Sequence, residues 1–166
     1  MRLWVTACVL AATACSGLIG CSYTTERPFR KDIRTIHVEV FGSKEFRREL
    51  EFRLTEAVVK RIEVETPYRI ADRRTADVLL TGEILKVENR NFADDFNTDL
   101  PREIGSTVVV RLRLKDLRTG EILLDRPREI HQATYIPLVG ETFSQGMTRA
   151  LDGMAEHIVE LMETDW

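Results

Sequence analysis

Beyond position 21 the chain has no cysteine; its three are Cys8, Cys15 and Cys21. The long region that follows therefore cannot close an internal disulfide, and it holds no cysteine nucleophile. Whatever folds there must be stabilised by its own hydrophobic core, which a chain of this length can bury. Histidine is almost as scarce, at three residues, and no two stand at metal-ligand spacing. No glycine-rich phosphate loop or nucleophile elbow occurs. An excess of positive charge is missing too: the formal net charge is −3, which argues against sequence-independent nucleic-acid binding. The 31% of charged residues, of both signs, read as a solvated surface. The paired carboxylates Asp94 and Asp95 lie in a polar stretch without an apolar pocket to raise a pKa, a poor setting for acid/base work. Together these absences point away from an enzyme and give no cofactor or metal site.

The chain does have one long apolar run, Leu3 to Gly20, preceded by Arg2 and closed by Leu18-Ile19-Gly20-Cys21. That ending resembles the lipobox of bacterial lipoproteins. The resemblance implies cleavage before Cys21 and acylation of its thiol, whose thiolate is the nucleophile the chemistry needs. A transmembrane anchor fits less well, because Thr6, Thr13, Ser16 and Gly17 dilute the run and no basic stop-transfer cluster follows at once. Cleavage at Cys15 lacks the leucine, since Ala12-Thr13-Ala14 precede it. A cleaved, unlipidated secretion signal is the remaining alternative. The expected organisation is a signal peptide over 1–20, a lipidated N-terminus and polar tether over 21–32, and a single domain over 33–166.

Within that domain the hydrophobic period alternates between two and 3.6. Ile36, Val38 and Val40 alternate with Thr35, His37 and Glu39, the pattern of a half-buried strand with His37 toward solvent. Phe46, Leu50, Leu54, Ala57, Val58 and Ile62 fall on one side of a helix expected over roughly Lys44 to Glu63, started at Ser43 and stopped by Pro67. Tyr68 to Ile70 suits a short strand. Ala76 to Asn89 reads as a longer one, apolar on both faces in its first half, with Gly82 marking a bulge or a close backbone approach. Asn89 to Gly105 shows no period and reads as a long loop or hairpin tip.

Thr107 to Leu117 is the cleanest strand, and Ile122 to Tyr135 is its antiparallel return, with Pro127 suggesting an edge or a break. A second amphipathic helix starts near Glu141 and carries Phe143, Met147, Ala150, Leu151, Met154, Ala155, Ile158 and Leu161, with the methionines as core filler and His157 exposed. The predicted fold class is α+β: two amphipathic helices packed on one face of a mostly antiparallel (mixed) sheet of about four strands.

Two candidate sites remain. Asp95, Asn97 and Asp99 have the alternate spacing that opens a calcium loop, but Leu100 replaces the turn glycine and Ser106 the closing glutamate, so a metal role fails. Arg111, Arg113 and Lys115 form a basic stripe at period two, to which Arg126 and Arg128 of the return strand can add. A charged solvent face protecting a sheet is the plain alternative.

Over nearly its whole length the chain resembles the LptE family of lipopolysaccharide-assembly lipoproteins. The resemblance rests on Cys21-Ser22-Tyr23, Val38-Glu39-Val40-Phe41, Leu50-Glu51 with Leu54-Thr55-Glu56-Ala57, Ala76 to Ile84, and Leu117-Arg118-Thr119-Gly120-Glu121-Ile122-Leu123. It implies a lipid-anchored protein on the periplasmic side of the outer membrane, plugging and helping to assemble an LptD-type β-barrel that delivers lipopolysaccharide to the cell surface. It also implies a ligand for Arg111, Arg113 and Lys115, either lipopolysaccharide phosphates or the barrel lumen, because arginine binds phosphate in bidentate fashion. The sequence departs from the family at Gly42-Ser43-Lys44-Glu45, where an asparagine commonly follows the aromatic, and in the acidic stretch Asp94 to Asp99. The competing class is a lipoprotein that activates or scaffolds another envelope machine, of the peptidoglycan-synthase-activator or curli-secretion kind.

Overall fold

The structure is a computed structural model that describes residues 29–45, 49–94, 101–137 and 140–163, with the side chains of 93, 94, 101 and 102 outside the description. In chain order its elements are β1 (Thr35–Val38), β2 (Gly42–Ser43), α1 (Leu50–Glu65), β3 (Arg69–Ile70), β4 (Val78–Asp94), β5 (Pro101–Asp116), β6 (Ile122–Tyr135) and α2 (Phe143–Glu160). The strands form one six-stranded sheet in the order β3-β1-β4-β5-β6, with β2 paired to β4 further along the edge that β1 occupies. The α+β class and the mixed sheet agree with the sequence pattern. The count of about four strands is too low: the short strand expected at Tyr68 to Ile70 is present as β3, and β2, two residues long, carries no readable period. These short strands pair in parallel with β4 and β1, and α1 supplies the crossover that parallel pairing of β1 with β3 requires.

The alternation in β4 and β5 decides where the core lies. Val78, Leu80 and Ile84 share a face with Val110, Leu112 and Leu114, to which they or their neighbours pair. The two helices cover this face. α1 presents Leu50, Leu54, Val58 and Ile62, while α2 presents Met147, Leu151, Met154 and Ile158 one turn apart. All belong to one continuous buried cluster with Ile36, Phe41 and Val108. Burying side chains of this size contributes roughly 1.5–3 kcal/mol each before entropy is counted, which is how the domain does without a disulfide.

Gly82 lies in the middle of β4, and the ring of Phe41 occupies the space a side chain would need: an added Cβ would stand 2.9 Å from Phe41 Cζ. The close approach is therefore made by a side chain on the core side, and the register irregularity of β4 falls two residues later, between Ile84 and Lys86.

Several elements begin or end elsewhere than the period predicts, α1, β4 and β5 among them. α1 starts at Leu50, not near Lys44. Ser43 pairs within the sheet, the Lys44 N–H donates to the Ile84 carbonyl at 2.9 Å, and the Glu45 carboxylate accepts the Val87 N–H at 2.9 Å. Glu49, at φ 77°, then turns the chain into the helix; Phe46 is outside the described residues. Its end is as expected, with Thr66 extended ahead of Pro67. The stretch expected to be a loop is instead strand: β4 runs to Asp94 and β5 begins at Pro101, paired from Val78↔Asp116 to Asp94↔Pro101. Its face turns polar there, Ser106 donating to Asn89 Oδ1 at 3.0 Å, so the apolar alternation fades while the pairing continues. Asp95, Asn97 and Asp99 lie outside the described residues.

Candidate functional site

The basic stripe lies on the face of the sheet opposite the one that α1 and α2 cover. Leu112 and Leu114 point into the core, so period two places Arg111, Arg113 and Lys115 on the opposite side, where all three are exposed. Thr81, Gly82 and Glu83 of β4 lie beside the two arginines, and together with Leu112 they line an open depression of about 240 Å³. That is smaller than the roughly 300–1,000 Å³ of a typical small-molecule pocket. The face is a platform rather than a cleft.

The stripe does not carry bare positive charge. Arg113 Nη2 donates to Asp125 Oδ2 of β6 at 2.8 Å, Arg111 Nη1 stands 3.8 Å from Glu83 Oε2, and Lys44 Nζ approaches the same oxygen at 3.5 Å. Lys115 makes no ion pair among the described residues. Further along, Glu88 lies between Lys86 and Arg90, and its carboxyl is held below the usual range by the hydrogen bond from Lys86 and by the nearby charges of Lys86, Arg90 and Arg128. Arg128 thus joins this face, whereas Arg126 is opposite Leu112 and approaches Glu129 at 3.9 Å. The arrangement is a ladder of exposed ion pairs, each weak in water and easily exchanged for another partner.

Three features escape the period. At the end where β1 begins, Arg118 of the β5–β6 turn donates to Asp116 Oδ2 at 3.0 Å and to the Asp32 carbonyl at 3.3 Å, and lies 3.9 Å from Asp77. The Arg118 guanidinium, helped by the N–H groups of Thr119 and Arg118, holds the Asp116 carboxyl down at about 2. Second, His157 is not simply exposed: it is half-buried, with Nε2 2.9 Å from Glu129 Oε2 of β6. His37, likewise half-buried, has Nδ1 2.9 Å from the Ala71 carbonyl. Third, α2 lies close to β6 because Gly146 and Gly153, two turns apart, accept the rings of Tyr135 and His131; an added Cβ would stand 2.3 Å from Tyr135 Cδ1 and 2.1 Å from His131 Nε2. The seven-residue glycine spacing on an otherwise apolar helix face is the signal that could have found it.

Among the described residues no three His, Cys, Asp or Glu side chains are grouped to hold a metal ion, and no buried side-chain nitrogen or oxygen is left without a partner. Cys21 lies outside the described residues. What the described surface offers chemically is polar contact over a broad face.

The LptE family model, described as lipopolysaccharide-assembly, matches residues 33–165. No curated protein matches the chain in sequence. Solved structures share the fold at low identity. A protein of Xanthomonas campestris superposes with a TM-score of 0.56 at 11% identity, covering 82% of this chain and 87% of its own. An uncharacterised lipoprotein B of Nitrosomonas europaea gives 0.54 at 11%, covering 86% and 89%. A hypothetical protein of Chlamydia trachomatis gives 0.54 at 14%, covering 77% and 96%.

Proposed function

Because the chain belongs to the LptE lipopolysaccharide-assembly family, we propose that it is a periplasm-facing outer-membrane lipoprotein, anchored through Cys21, that serves as plug and assembly partner of an LptD-type β-barrel. The match over residues 33–165 carries this reading. The open sheet face supports it: a rigid platform of alternating charges suits the polar interior of a large barrel, where both signs are met. Arg111, Arg113 and Lys115 are the proposed contacts, with the lumen wall or with lipopolysaccharide. An arginine paired to an exposed carboxylate can exchange it for a phosphate with little loss, and the phosphate accepts two parallel hydrogen bonds.

Affinity isolation of the full chain from detergent-solubilised envelopes tests the assembly role. Recovery of a large outer-membrane β-barrel is expected, and recovery of a peptidoglycan synthase in its place would overturn it. The stripe is tested separately by replacing Arg111, Arg113 and Lys115 with alanine. Lipopolysaccharide affinity or barrel recovery should fall on the order of tenfold, from the loss of charge-assisted hydrogen bonds. Unchanged values for both would remove the stripe from the contact while leaving the plug in place.

A further inference from the structure

The end of the sheet where β1 starts collects charge that nothing inside the domain uses. Register places Thr35 beside Arg69, Ile36 beside Val78, Val78 beside Asp116 and Lys115 beside Ile122. The starts of β1, β3, β4 and β6 and the end of β5 therefore share one rim with the chain entering at Phe29. The segments that form this rim, 29–35, 66–77 and 114–122, carry eight Lys and Arg against five Asp and Glu, in a chain whose net charge is −3.

Three of the five carboxylates of the rim are turned to internal work, while Asp72 and Glu121 are exposed. Asp77 accepts the N–H groups of Arg34 and Thr35 at 2.9 and 3.0 Å. Asp116 binds Arg118, and Asp32 binds Arg30 at 3.0 Å. Left exposed and without an ion pair among the described residues are Lys31, Arg34, Arg69 and Arg74. Like charges gathered this way repel one another, so the arrangement costs stability unless an anionic surface meets it.

The place where the chain enters says what that surface is. Phe29 is buried, its ring edge-on to Tyr68 with centroids 5.6 Å apart, and the Arg30 N–H donates to the Tyr68 hydroxyl at 3.1 Å. Phe29 is thus a fixed point on this rim. Seven residues separate it from Cys21, and that length of chain reaches at most about 28 Å.

We propose that this rim is a membrane-docking surface for the anionic phospholipid headgroups of the leaflet that holds the anchor, an inference that rests on acylation of Cys21. Acyl chains bring the rim to the headgroups, and its free cations hold it there at a set orientation. Lipid attachment plus a basic patch is a combination that strengthens membrane attachment. The distal end of the β4–β5 hairpin then points away from the headgroups, and the stripe face at its side is left free for a protein partner.

The processed full chain, purified from envelopes, is reconstituted into vesicles of phosphatidylcholine alone or with about one-third phosphatidylglycerol, and amide hydrogen exchange is followed in the rim and in β5. Exchange across Arg69 to Thr75 should be slower on the order of tenfold in the anionic vesicles. Addition of about 0.5 M salt should abolish the difference, as should the combined change Lys31→Gln, Arg34→Gln, Arg69→Gln and Arg74→Gln. Arg34→Lys with Arg69→Lys and Arg74→Lys should preserve it. Equal exchange in the two vesicle types, or a difference that salt leaves intact, overturns the proposal without reference to any variant. The mass of the N-terminal peptide from the same preparation reports acylation independently. An unmodified Cys21 with rim protection intact would refute the anchor alone, and an acylated Cys21 with no protection would refute the docking surface alone.

Discussion

Asp116 and His131 are pulled from their ordinary ionisation in the same direction for opposite reasons, and both give the fold an acid limit. The Arg118 guanidinium and two N–H groups stabilise the charged Asp116. With its carboxyl at about 2 in the fold and near 3.9 unfolded, the unfolded chain binds more protons between those values, so stability rises with pH there. The contribution is complete above about pH 4 and is lost as pH falls toward 2. Asp116→Asn should lower the urea midpoint at neutral pH and flatten its acid dependence in that window; an unchanged slope would show that Asp116 contributes nothing. For His131, burial against α2, and then the neighbouring His157, push the imidazole below its usual value, while Glu156 and Glu160 act weakly the other way. Folding here favours the neutral ring, so stability should decline as pH drops below about 6.5. Thermal midpoints at pH 7.5 and 5.5 check this, and the drop should shrink in His131→Gln.

The sheet-facing side of α2 shows why helix propensity is a poor guide to its glycines. Alanine in a helix interior is ordinarily better than glycine by about 0.5–1 kcal/mol. At Gly146 and Gly153 the sign should reverse, because the rings of Tyr135 and His131 already occupy the space and overpacking costs about 1–3 kcal/mol. Chemical denaturation of Gly146→Ala and Gly153→Ala should show net destabilisation, and a gain in stability would mean that the rings swing aside freely. These glycines also mark where reading the sequence stops. β6 matched its expected bounds, α2 starts within two residues of its expected position, and β5 was placed where it alternates, from Thr107 on, while Pro101 to Gly105, expected as loop, are strand. What was missed depends on partners distant in sequence: β2 exists only by pairing to β4, the start of α1 is delayed by bonds to β4, and His157 is drawn in by Glu129. The stripe was legible as a period, but the carboxylates that accompany it come from β4 and β6, which the period of β5 cannot reveal.

For the molecule as a whole, the helices take one face of the sheet and leave the other for contact, while the N-terminal entry is pinned to one rim. The proposed attachment through Cys21 is expected to be separable from folding, because the buried cluster of the described residues is built from side chains between Phe29 and Met162. Cys21→Ser should leave the denaturation midpoint of the domain within about 0.5 kcal/mol and shift the protein from membrane to soluble fraction in cells lacking the barrel. Undiminished membrane retention under those conditions would exclude the lipid anchor.

β6 closes one side of the sheet, and among the described residues its outer edge is the longest run of strand backbone that no other strand covers. At its middle two residues, Pro127 and Arg128, stand where β5 offers one, and charged side chains at Arg126 and Glu129 flank the irregularity. Such a bulge bends and twists the strand, dividing the edge into two short stretches that do not lie on a common line. A second copy cannot lay a straight strand along both. The fold is thereby protected against edge-to-edge growth into fibres during any interval in which the domain has been made but the proposed barrel partner has not yet been reached.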